Sequence, residues 1–205
     1  MWLLFMDFVL LLVVLAVFWI LKTKDQQRRI TLLARHLSQY SIEKLMETVS
    51  QGYARALGEG SPERQTQVWT YLNSSEQSLS EQLLRLATEF AKLEAAQTRV
   101  SQLGIAIPFA DTLFPRATFD LRRALSVHAQ GIADAVNNSG QQPPKDRAHT
   151  LLAELYLLQH TCHWFCRSKT VASARLLARH QTSYAQALAA VAPQTRRAYE
   201  SLVKG

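Results

Sequence analysis

The chain predicts an all-α protein, with a single N-terminal transmembrane helix followed by a cytoplasmic helical bundle of about five helices. Three observations carry that reading. Residues Trp2 to Leu21 form one apolar run broken only by Asp7, and twenty helical residues at about 1.5 Å each match the roughly 30 Å hydrocarbon core of a bilayer. Gly and Pro are scarce, at 7 and 6, while Ala, Leu, Gln and Arg recur, which favours helix. No alternation of Val, Ile and Thr is long enough to suggest a sheet. The expected division is an anchor with its basic flank at 1–24 and a bundle at 25–205, with a polar linker at 137–144 inside it. Without the anchor about 180 residues remain, enough for one sizeable core.

The flanks of the run orient it. Lys22, Lys24, Arg28 and Arg29 follow it directly and no basic residue precedes it. Basic residues stay on the cytoplasmic side. The N-terminus is therefore expected outside and the bundle in the cytoplasm, at a plasma or inner membrane. A basic leading region and a small-residue cleavage site are both missing, so the run reads as an uncleaved anchor and not as a signal peptide. Trp2 and Trp19 sit where indoles favour the interface. Asp7 is shallow enough to reach the outer headgroups, a better reading than a proton relay. The run has no Gly and only Ala16 as a small residue, so it lacks a packing motif for tight dimers.

Beyond the anchor the chain stays helical. Ile30, Leu33 and Leu37 mark one apolar stripe, and Ile42, Leu45, Val49, Tyr53 and Ala56 mark a second, with Ser41 as a candidate cap. Gly58-Glu59-Gly60 stops that segment. Ser61-Pro62-Glu63 restarts it, with a capping serine, proline at the first helical position and an acid at the positive dipole end. Leu72, Leu79, Leu86, Leu93 and Val100 then recur every seven residues, with Trp69, Glu76, Leu83, Phe90 and Gln97 three positions before each. This heptad seam over 69–103 is expected to pack inside its own bundle, because the flanking positions lack the complementary charges of a paired coiled coil. A break near Asn73-Ser74-Ser75 is the alternative for that segment.

Gly104 is expected to close the long helix, and Ile105 to Pro115 reads as an apolar loop that packs over the bundle end or offers a docking surface. A helix from about Pro115 to Asn137 turns Leu121, Leu125, His128, Ile132 and Val136 inward, with His128 a hydrogen-bonded core residue. Lys145 to about Ser168 is apolar nearly all round and reads as the central helix. A last long helix is expected from about Thr170 to Ala192, with Leu177, Tyr184, Leu188 and Val191 inward. Pro193 ends it, and Gln194 to Lys204 reads as a short basic tail helix or a frayed end.

Charge is uneven. Residues 145–205 hold nine Lys/Arg against Asp146, Glu154 and Glu200, whereas residues 1–144 hold 14 against 13. Arg167, Lys169, Arg175, Arg179, Arg196 and Arg197 are candidates for contact with anionic lipid headgroups or an acidic partner. Nucleic acid is the weaker candidate, since few aromatics interleave with those residues.

One cluster carries possible chemistry: His160, Cys162, His163 and Cys166. Thiolate and imidazole suit zinc and softer metals. Four ligands on one helix cannot wrap a tetrahedral ion, however, and Cys162 stands where a small core residue belongs. Core packing is the expected role, with metal, haem or redox sensing the alternative. There is no glycine-rich phosphate loop, no Gly-x-Ser-x-Gly elbow and no His-Glu-x-x-His. The expectation is a non-enzymatic, membrane-tethered scaffold or adaptor that binds protein partners beside the bilayer and needs no cofactor.

Overall fold

The structure is a computed structural model that describes residues 2–204, with side chains from Phe5 onward; the Trp2 side chain lies outside the described residues. Helix α1 (Trp2–Leu37) is continuous for 36 residues and carries the apolar run straight into the bundle. Its residues Phe5 to Leu21 are exposed, and the first buried one is Asp25. From there Asp25, Arg29, Leu32, Leu33, His36 and Leu37 recur at three- and four-residue steps and face the bundle, as one stripe of a helix must. The apolar run and the stretch that packs on the bundle therefore share one continuous helix.

The bundle follows as α2 (Ile42–Gly58), α3 (Pro62–Ala91), α6 (Leu121–Val136) and α7 (Pro144–Cys166), completed by α8 (Lys169–His180), α9 (Tyr184–Ala190) and α10 (Pro193–Lys204). Two one-turn helices, α4 (Ala95–Thr98) and α5 (Ala110–Leu113), and a 3-10 turn at Pro115–Ala117 connect α3 to α6. The class is all-α, but the number of helices among the described residues exceeds five. Helix α7 is central and packs on α1, α2, α6, α8 and α9; Leu151, Leu155, Leu157, Leu158 and Phe165 are buried along it.

Several expectations change. The heptad helix runs unbroken past Asn73 but ends at Ala91, so Leu93, Gln97 and Val100 lie beyond it. The part that remains, Leu72 to Phe90, is buried between α2 and α6 within its own chain. Gly104 closes no helix. A short antiparallel ribbon forms instead, β1 (Arg99–Ser101) against β2 (Thr118–Asp120), and α6 starts at Leu121 and not at Pro115. Its cap is Asp120, whose carboxylate accepts the Arg122 N–H at 2.9 Å, a local stop-and-start signal that outweighs the apolar pattern upstream.

The last long helix breaks at Gln181, which has φ 51° and closes α8. A left-handed residue cannot continue a helix, and the Ser183–Gln186 capping box opens α9. The break rotates the stripe, so Leu176 is buried and Leu177 is exposed. Pro193 begins α10 and does not merely end its predecessor. Tyr199 on α10 is fully buried; its hydroxyl meets Thr161 at 3.0 Å, and Thr161 meets His128 Nε2 at 2.9 Å. His128 is thus a hydrogen-bonded core residue, and burial lowers its pKa to about 3.

Candidate functional site

A groove of about 910 Å³ runs between α1 and α2 on one side and α7 and α8 on the other. Ile30, Leu33 and Leu37 of α1, Leu83 and Leu86 of α3, and Leu158 and Cys162 of α7 make its floor apolar. Its two rims are charged. Glu43 and Glu47 stand one turn apart on α2, with Lys44 between them, and Arg175 and Arg179 stand one turn apart on α8 beside Arg167. Among the described ion pairs none involves Arg167, Arg175 or Arg179. The groove lies close to the end of the apolar run of α1. Ile30 is nine residues past Leu21 on an unbroken helix, about 13 Å along its axis.

The His/Cys cluster divides between two environments. Cys162 and Cys166 line the groove and are free thiols. Burial pushes Cys162 up to about 12 and Cys166 up to about 11, the latter against the pull of Arg167, Arg29 and Arg175. Both are protonated near neutral pH, whereas the thiolate is the nucleophile and the metal ligand. His160 turns the other way. Its Nε2 is 3.0 Å from Ser173 Oγ and its ring stacks on Tyr184 at 4.5 Å; burial and Lys169 lower it to about 4. His163 sits at the rim with Nδ1 3.3 Å from Arg175 Nη1, and burial together with Arg175 and Arg179 lowers its pKa. Among the described residues no three His, Cys, Asp or Glu side chains converge as metal ligands. The four candidates are not brought to one point.

The six basic candidates are likewise dispersed. Arg167 Nη1 donates to Gln26 Oε1 at 2.6 Å, just past the apolar run of α1. Lys169 lies over the Trp164 and Tyr184 rings, at 5.0 and 5.1 Å. Arg175 and Arg179 face the groove. Arg196 and Arg197 belong to α10, which packs against α6 and β2.

Glu43 and Glu47 were not singled out by sequence reasoning. The available signal was their four-residue spacing, which matches that of Arg175 and Arg179, but only the fold sets the two pairs across one groove. Comparison of the chain with protein-family models, curated proteins and solved structures found no match.

Proposed function

We propose that the protein is a non-enzymatic, membrane-tethered adaptor whose groove takes an amphipathic helix of a protein partner at the cytoplasmic face. One observation carries the reading: an apolar trough of about 910 Å³ bordered by Arg167, Arg175 and Arg179, none of which is in an ion pair among those described. Helix-in-groove recognition uses an apolar stripe against such a floor. These arginines select acidic residues on one flank of the partner, since charge complementarity steers encounter and fixes register. Tethering raises the effective concentration of a partner held at the same membrane, so modest affinity suffices. The bilayer itself is the second partner, through the apolar length of α1. The orientation follows from Lys22, Lys24, Arg28 and Arg29. A reporter fused after Gly205 is expected to be active only in its cytoplasmic form.

A photo-crosslinking residue at Met46 or Arg179 of the full chain in membranes tests the groove. The expected result is a discrete adduct that is lost in the Arg175→Glu, Arg179→Glu variant and that is not formed from exposed positions on α6 such as Ser126. Adducts from Ser126 equal to those from the groove, or adducts insensitive to charge reversal, would sink the reading. The sensor alternative is weakened by the divergence of His160 from the two thiols. Its test is metal analysis of the purified full chain: stoichiometric metal that disappears with Cys162→Ala and Cys166→Ala would restore it.

A further inference from the structure

We infer that the loop 105–114 is a second membrane-attachment element, which inserts apolar side chains into the lipid leaflet beside the point where α1 leaves it. The loop carries an unusual density of exposed apolar surface for the bundle: Ile105 is 68% exposed, Leu113 63%, Phe114 46% and Phe109 38%. Exposed apolar residues scattered singly need no explanation, but a contiguous group does. Elsewhere on the bundle the exposed apolar side chains among the described residues are spaced out along helices, Tyr71 and Leu84 on α3 and Val171 and Leu177 on α8.

The fold sets this loop against the emerging end of the span. Ile105, Ala106 and Ile107 share one crevice with Lys22, Asp25, Gln26 and Arg29 of α1. Lys22 is the residue that follows the apolar run, so Ile105 reaches the level where the hydrocarbon ends. The placement is pinned. Arg29 pairs with Asp111 at 3.0 Å and donates to the Arg99 carbonyl at 2.9 Å, with its side chain only 11% exposed. Asp25 lies 3.3 Å from the same guanidinium, and the Phe165 ring lies 5.4 Å below it. Asp111, the one acid within the loop, is thereby neutralised and turned inward. The charges left exposed around the loop on its neighbours include Lys24, Arg28, Arg99, Arg116 and Arg167, the sign that anionic headgroups attract.

The occupant of this apolar surface is the bilayer because the surface continues one that lipid already covers. Phe5 to Leu21 are exposed on the same rigid helix, and the headgroup layer beyond the hydrocarbon is about 5–7 Å deep on each side. An apolar element at that level buries itself into the boundary between headgroups and acyl chains, as interfacial segments do. Anchoring at two points removes the freedom of the bundle to pivot on α1, and it fixes the direction in which the groove opens.

The inference rests on α1 crossing a bilayer, and one experiment separates the two claims. The full chain is placed in phospholipid nanodiscs that contain a phospholipid with a diazirine in its acyl chain, irradiated, digested and mapped by mass spectrometry. The expected result is two sets of adducts, one in α1 before Lys22 and one in 105–114, with none around Tyr71, Leu84 or Leu177. Leu113→Asp with Phe114→Asp should remove the second set and leave the first. Adducts confined to α1 would overturn the inference while leaving the span intact. Loss of both sets would overturn the span and the inference with it. Equal labelling of Tyr71 or Leu84 would show the loop contact to be unspecific and would also overturn the inference.

Discussion

The seam of α3 and the loop 105–114 are equally apolar, yet one is closed and the other open. Leu72, Leu79, Leu86 and Phe90 are at most 2% exposed, because α2 and α6 flank the helix that carries them. The single charge on that seam, Glu76, is fully compensated. Tyr53 donates to it at 2.6 Å and Arg147 at 2.8 Å. The loop meets the bundle through Asp111 on Arg29, the buried Pro108 and Ala110 and the packing of α5 on β1, while its Leu113 and Phe114 are exposed. The difference shows that apolar content states only that a segment seeks cover. Whether the cover is the chain itself or something outside it depends on what the fold sets opposite.

The largest effects are expected in the closed region. Phe90→Ala should cost about 3–5 kcal/mol of bundle stability, measured by the circular-dichroism melt of the full chain in detergent, because a cavity remains where the ring was. Arg147→Ala should cost a comparable 3–5 kcal/mol by leaving Glu76 buried without its partner. A loss below about 1 kcal/mol for either would mean that the seam is less closed than its burial indicates.

The polar interior beside the seam carries a pH dependence. Glu154 is fully buried; burial raises its carboxyl to about 7, against the Thr195 side chain and the Ala192 N–H. Its raised value makes the folded state hold a proton that the unfolded chain has lost, so this contribution is present below about pH 4.5 and is lost as pH rises to about 7. His128 and His160 are depressed to about 3 and about 4. Their contribution is present above about pH 6.5 and is lost as pH falls. The depressed histidines, with His163 and His180 also lowered by burial and neighbouring arginines, outweigh Glu154 below that point, so stability should peak near pH 6.5. Glu154→Gln should remove the decline on the alkaline side while leaving the steeper acid limb. A stability that rises steadily from pH 6.5 to 8 would contradict the burial assigned to Glu154.

Smaller effects sharpen the contrast from the other side. Cys162→Ala with Cys166→Ala should lower stability by about 1–2 kcal/mol in all, since each thiol is a partly buried small side chain at the groove floor. Leu113→Ser should change the detergent melt by less than about 0.5 kcal/mol, because nothing in the bundle covers that side chain. A large loss at Leu113 would mean that the loop is held by the bundle, and the lipid contact would lose its support.

Several elements were legible because they depend on neighbours along the chain. The long apolar N-terminal helix, the Ser61-Pro62-Glu63 restart, the buried face of α3 as far as Phe90 and the inward His128 all follow from periodicity and capping within a few residues. The end of α3 at Ala91 was hidden, since Leu93 and Val100 keep the heptad spacing after the helix has stopped. The α8–α9 break was hidden because Gln181, at φ 51°, is neither Gly nor Asn. The His/Cys cluster was visible as a sequence, yet the 3.6-residue turn sends His160 toward α9 and Cys162 toward α1.

What the sequence alone determined is local in origin: an all-α chain with one helix long and apolar enough to cross a membrane, and the capping signals that restart its helices. These rest on composition and on interactions between residues at most a few positions apart. The tertiary structure decided everything that needs two distant segments at once. It set Glu43 and Glu47 across from Arg175 and Arg179, packed the helix that carries Arg196 and Arg197 against α6, and pinned Asp111 to Arg29. Side chains far apart in sequence become neighbours only when helices pack, and packing is fixed by the shapes and buried charges of the whole bundle, which no single segment encodes.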